Sequence, residues 1–399
     1  MGLAKNLVME IEDRGYGEDD RFVCINCIGC YALKALAVKN GAEEQCDFCA
    51  SNAICITLET LASDVMDGIR FEYQEAIEIM GQERGEYIGA NIFDTYDLLE
   101  KLDFEMEFDV GVLDTLKDIF TMKTWCEYDS YVLREHQELQ FLWDEFCDAV
   151  KDETRYVFFR LPKRGEYESE SPYKILDHIS SKAADMEMFI EIPNEHRFFR
   201  GRSHKKDICF TKPNELGSPP NTYAKSVRMS ADGISIFYGA GSVGTAIKEI
   251  YSSAHLYASV AAFKNLRPLI LLDLTKAVDM EFPSLFDKEH RSNRQSILFL
   301  RKLCDELTRP FDELESIEYI PTQIVAEYFR YIFKYKEKQI DGIKYPSSKD
   351  KDGVCYALFF DYRQFSSEKG NNSKEITMVQ RSAKMYKICA EIRYEQIIQ

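Results

Sequence analysis

The 399-residue chain has no apolar run approaching the ~18 residues that a membrane-spanning helix needs. Its start, MGLAKNLVMEIEDRG, lacks the apolar segment of a secretory signal, and Asn6 stands where a myristoylation pattern wants Ser or Thr. These absences lead us to expect a soluble, cytoplasmic protein with no membrane partner. The sequence also lacks internal repeats, a Ser-His-Asp order and metal-hydrolase spacing. Between Thr57 and about Val157 no Arg is followed four to six residues later by His, so a helical nuclease signature is missing there; Arg134 and His136 are too close.

What is present is a core-forming composition, 45% hydrophobic and 13% aromatic, on a chain long enough for about two to three domains. The net charge of −18 is unevenly placed: residues 1–170 hold 16 Lys+Arg against 38 Asp+Glu, and residues 171–399 hold 34 against 30. So acidic a front half repels phosphate backbones, and direct nucleic-acid binding is not expected.

Twelve cysteines in a chain read as cytoplasmic point to metal ligation or buried thiols before disulfides. In FVCINCIGCYALKALAVKNGAEEQCDFCA, Cys24 and Cys27 form one CxxC pair and, eighteen residues on, Cys46 and Cys49 form another. Two such knuckles at this spacing predict a closed, four-thiolate structural zinc site. Cys30 makes Cys27-x2-Cys30 an alternative knuckle, and we expect it to lie outside the site.

From Thr57 to about Val157 the pattern is helical, with Val112, Leu116, Ile119 and Phe120 on one face and Leu139, Leu142, Trp143 and Phe146 on another. LPKRGEYESESP at 161–172 reads as a linker, and YKILDHISSKAADM as a helix beyond it. The second half turns to strands: FFRGR, ISIFYG, RPLILLDLT, GIKYPSS and VCYALFF, with a helix over 319–335 and Thr322 as its N-cap. SSEKGNNSKE at 366–375 is a polar loop before a final segment. The fold class is therefore α+β, divided as a zinc-binding segment over 1–56, a helical domain over 57–160, a linker and connecting helix over 161–185, a mixed β domain over 186–365 and a C-terminal extension over 366–399.

Gly239, Gly241 and Gly244 spell a G-x-G-x-x-G between a strand and a helix, the setting of a dinucleotide fingerprint, with Asp273 as a ribose ligand. Asp273 follows Gly244 by 29 residues instead of about 20, and no regular βαβ series follows. A different nucleotide chemistry fits better. Breaking the nicotinamide–ribose bond builds positive charge on the sugar, which a carboxylate must face while cations hold the pyrophosphate. Arg200, Arg228, Tyr238, Glu249 and Ser347 supply these groups, the arginines because a planar fork donates in pairs and the tyrosine because its ring offers a stacking face.

FFRGR, RMSADGISIFYGAGSVGTAIKE and DGIKYPSS resemble the RES-domain family, over about residues 190–362. The first half, with its two knuckles and Trp125-Cys126, resembles the zinc-binding, HEPN-like helical domain that precedes RES in longer members. The resemblance implies an ADP-ribosyltransferase-like fold and an NAD-degrading toxin neutralised by an antitoxin. It places the family's Arg on Arg200, its Tyr on Tyr238, its Glu on Glu249 and its Ser on Ser347, with Arg228 as a second Arg. Ser348 competes with Ser347, and Arg202, on the same strand face, with Arg200; Gln323 is expected to line the pocket. Cys355 stands where members commonly have Asn. The expected activity is NAD glycohydrolysis or phosphorolysis, with zinc structural and NAD as substrate. The alternatives are an ADP-ribosyltransferase acting on a macromolecule and a noncatalytic zinc-containing interaction protein. A homodimer is compatible with all three.

Overall fold

The computed structural model describes residues 2–83, 86–87, 91–109, 111–127, 133–160, 171–205, 207–252, 254–309, 316–365 and 375–389. Most of the expected linker at 161–172 and of the polar loop at 366–375 lies outside these residues. The chain divides into two compact units, one formed by Met1–Glu138 with Glu281–Ile297, the other by Leu139–Met280 with Leu298–Gln399.

In the first unit, the strands Phe22–Cys24, Asn52–Thr57 and Ala42–Gln45 form a small antiparallel sheet around the cysteine knuckles. Thr57 then caps the helix Leu58–Glu72 by accepting from the Thr60 amide, and that helix buries Leu61, Val65 and Ile69 at the expected three- and four-residue spacing. Helices Thr95–Met106 and Val112–Ile119 complete the core with Leu98, Leu99, Leu102 and Leu116. Beside the first of these helices runs a three-stranded sheet, Tyr73–Glu75, Thr124–Glu127 and Ile92–Asp94, so the helical pattern of this region carries strands at its aromatic positions Tyr73, Phe93 and Trp125.

The segment Glu281–Ile297 enters this unit from the far side of the sequence. Phe286 is 1% exposed and its ring closes on Gly68, where even a methyl group would lie 2.4 Å from the ring. Arg294, buried, bonds Glu72 at 2.8 Å and Glu105 at 3.0 Å, which satisfies a guanidinium that would otherwise be costly to bury.

The second unit is built on a nine-stranded sheet. Its order is Ile376–Met378, Tyr257–Asn265, Arg197–His204, Phe237–Ala240, Val354–Leu358, Gly342–Pro346, Leu269–Asp273 and Phe189–Ile192, with Lys384–Lys387 also pairing with Tyr257–Asn265. Among the described residues, only Leu269–Asp273 and Gly342–Pro346 run parallel. Helices Ile175–Asp185, Arg294–Thr308 and Ile320–Tyr331 contribute to the core on one face, where Leu272, Ile343 and Ala357 point. Phe198, Phe237, Phe263, Leu271 and Leu358 form the core of the other.

One expectation is corrected here. The helix over 320–331 is capped by Tyr319, and the Thr322 hydroxyl instead donates to the carbonyls of Tyr319 and Arg228. The dinucleotide fold set aside on the sequence is not formed among the described residues: the strand after the glycine turn is antiparallel to its neighbour, and Asp273 is buried in an ion pair with Lys344 at 2.9 Å while capping Thr275. Its carboxylate is satisfied within the protein.

Candidate functional site: a split sheet beneath an inward-facing glutamate

The strand Arg197–His204 makes eight register pairs with Tyr257–Lys264, but only one, Phe199 with Ala240, with the strand on its other side. Beyond that pair the sheet is open. Alternation sends Arg200 to the face of Phe198, over the Phe237 ring at 5.3 Å, and its Nη1 turns into the opening to donate to the Tyr238 carbonyl at 2.6 Å. Its Nε is buried without a hydrogen-bond partner. Burial, aided by the neighbouring Arg202 charge, pushes the Arg200 guanidinium down to about 10, which leaves it cationic at neutral pH. Burial likewise lowers Arg202.

Tyr238 points to the opposite face, where its hydroxyl accepts from the Met229 amide at 3.0 Å and burial holds the phenol in its protonated form. That bond ties Tyr238 to the loop bearing Arg228. The loop is braced from behind: Gln323 donates from Nε2 to Ser226 Oγ and to the Val227 carbonyl, both at 2.9 Å, and Thr322 to the Arg228 carbonyl. The Gln323 amide nitrogen thus braces the loop that bears Arg228. Arg228 itself donates to the Arg309 carbonyl at 2.9 Å, and its charge reaches Tyr238, Tyr345 and Cys355.

Glu249 ends the helix Val243–Glu249, which Ser242 caps by accepting from the Thr245 amide at 3.0 Å. The segment leaving this helix packs close to the Arg200 strand because position 201 is glycine; a Cβ there would sit 2.7 Å from Ile250 Cδ1. The loop Ser347–Gly353 is clamped along the helix, Asp350 accepting from Thr245 Oγ1 and pairing with Lys248, both at 2.7 Å, while Lys349 Nζ bonds the Glu249 carbonyl at 2.9 Å. These bonds turn the Glu249 side chain inward.

There Ser347 Oγ accepts from the amides of Lys349 and Asp350, at 3.2 and 3.1 Å, so its proton is free to donate to Glu249 Oε1 at 2.5 Å. Ser347 is buried and Ser348 exposed. The geometry therefore gives the carboxylate to Ser347. Removing that bond to a charged acceptor costs about 1.5–3 kcal/mol, so Ser347→Ala is expected to lower the turnover of this site roughly 10–100-fold, and Ser348→Ala to stay within about twofold of wild type. Equal effects in steady-state assays of the two variants would contradict this assignment.

Two residues absent from the expected set also meet here. Cys355 donates from Sγ to Glu249 Oε1 at 3.5 Å, and Tyr345 lies directly across the ladder from Cys355. Tyr345 is 9% exposed, and its phenol feels the charges of Arg228 and Glu249; burial keeps it protonated. The structure thus links Arg200 to Tyr238, Tyr238 to the Arg228 loop, and Glu249 to Ser347 and Cys355. Arg200 and Glu249 are not in contact. His204 and His255, bonded to Ser259 at 2.9 Å and Ser203 at 2.8 Å, serve the strand pair outside this cluster.

In the first unit, the sulfurs of Cys24, Cys27, Cys46 and Cys49 lie within 4.8 Å of one another, with Cys24–Cys49 at 3.5 Å, Cys24–Cys27 at 3.7 Å and Cys27–Cys46 at 3.9 Å. A tetrahedron of thiolates about 2.3 Å from zinc has edges of about 3.8 Å, so the donor set fits that ion; a disulfide would need about 2 Å. Cys30 bonds Ser284 Oγ at 3.3 Å, outside the cluster.

Family models match the chain in two places: one described as HEPN/RES N-terminal domain 1 over residues 39–164, and one described as RES domain over residues 201–374. The second begins immediately after Arg200 and contains Arg202, Arg228, Tyr238, Glu249 and Ser347. No curated protein and no solved structure was found to match. The match supports, at the level of the family, an NAD-related function of the toxin–antitoxin kind. Sequence pattern, architecture and family models thus agree that this chain carries a RES domain behind a HEPN/RES N-terminal domain.

Proposed function

We propose that the protein is an NAD-degrading toxin that cleaves the nicotinamide–ribose bond, with water or phosphate as acceptor. The observation that supports this most is the inward-held Glu249 carboxylate in a pocket otherwise supplied with cations and phenols. The C–N bond breaks with its electron pair passing to nicotinamide, which leaves neutral, and the ribose gains oxocarbenium character. Glu249 stabilises that charge or activates the acceptor, whose oxygen bonds C1″ as its proton is lost. Arg200 and Arg228 hold the phosphates, with Arg202 beside them, and Tyr238 holds the nicotinamide ring. The buried, unpartnered Nε of half-buried Arg200 fits an anionic ligand, since burial without one is costly.

Zinc bound by Cys24, Cys27, Cys46 and Cys49 would be structural, and an antitoxin protein would restrain the enzyme in the cytoplasm. The test is product analysis by mass spectrometry after incubation with NAD, with and without phosphate. Nicotinamide with ADP-ribose, or with ADP-ribose 1″-phosphate when phosphate is present, is the expected outcome. Label transferred from NAD to a protein or nucleic acid would replace this reading by an ADP-ribosyltransferase.

A further inference from the structure

Both hydrogen bonds that reach the Glu249 carboxylate end on the same oxygen. Ser347 Oγ donates to Oε1 at 2.5 Å and Cys355 Sγ to Oε1 at 3.5 Å. Among the described residues no group bonds Oε2, and that atom is not among the buried unpartnered atoms, so it is open to solvent. A carboxylate held at one oxygen from two directions cannot rotate about its terminal torsion without breaking one of the bonds.

Cys355 is well placed for this. It is 3% exposed on the strand Val354–Leu358, between Ala240 on one neighbouring strand and Tyr345 on the other. Burial pushes its thiol up, so it meets the carboxylate as a donor, not as a thiolate repelling it. The charged groups facing the pair are Arg228 and Glu249 itself.

We infer that Cys355 is a positioning residue which, together with Ser347, fixes Oε1 of Glu249 and leaves Oε2 as the oxygen presented to the reacting sugar. The inference rests on the proposed NAD cleavage for its kinetic consequence, but the hydrogen bond can be read without turnover.

Two measurements on the full-length protein test it. In steady-state nicotinamide release, Cys355→Ala is expected to lower kcat roughly three- to tenfold with KM unchanged, because a weak S–H donor is lost while substrate contacts remain. Cys355→Ser, which keeps a donor, is expected to recover most of that loss. By infrared spectroscopy, the S–H stretching band that disappears in Cys355→Ser is expected to move when Glu249→Ala removes its acceptor. A wild-type kcat in Cys355→Ala overturns the inference, as does a lower melting temperature with kcat unchanged, or a band that ignores Glu249→Ala. A band that moves in a protein leaving NAD intact would support the thiol–carboxylate bond and overturn only the proposed reaction.

Discussion

Glu249→Gln is expected to lower nicotinamide release by about 10²–10⁴-fold, the range lost when a positioned acid–base or charge-stabilising group is removed. The substitution keeps Oε1 as an acceptor for Ser347 and Cys355, so the loop Ser347–Gly353 keeps its clamp on the helix. What disappears is the negative charge that the proposed cleavage needs as the sugar's bond to nicotinamide stretches. The variant should therefore melt within a few degrees of wild type while NAD persists. Release at the wild-type rate would remove Glu249 from the reaction.

Stripping the metal is expected to unfold the first unit. A four-thiolate zinc site supplies about 10–16 kcal/mol at neutral pH, as much as the about 5–15 kcal/mol that stabilises a typical domain. The two tryptophans report separately, since Trp125 is buried in the first unit's core and Trp143 in the second's. In Trp143→Phe, a strong chelator should shift Trp125 emission to the red. In Trp125→Phe, Trp143 should respond far less. Elemental analysis should find one zinc per chain, and Cys46→Ser should reproduce the chelated state. A folded, metal-free wild type with an unshifted Trp125 would contradict the assignment.

The legible parts of this protein were those whose chemistry is local in sequence. Two CxxC knuckles announce their geometry by spacing alone, and the cluster of four sulfurs follows. The order of Arg200, Arg228, Tyr238, Glu249 and Ser347 suggested one site, and the α+β architecture followed from the change of period after the front half. Other features needed the third dimension. Cys355 stood out in the sequence only as a departure from the family's Asn, and Tyr345 not at all; the ladder that pairs them and the thiol's bond to Glu249 show that they share its face. Gln323 carried the right polarity for a pocket, but its amide is used by the Arg228 loop. The segment Glu281–Ile297 joins the first unit across more than a hundred residues of sequence, which no local periodicity reports. Strand alternation places Arg200 on the far face, and only the opening beside Phe199 brings its guanidinium to Tyr238.

The proposed chemistry of this site is the severing of the nicotinamide–ribose bond. Its most direct test is free nicotinamide, followed by chromatography, when the purified zinc-loaded protein meets NAD without an antitoxin. Nicotinamide is expected to appear in step with NAD loss under wild-type protein and not under Glu249→Gln. NAD left intact at high protein concentration, with the fold and zinc content verified, would contradict it.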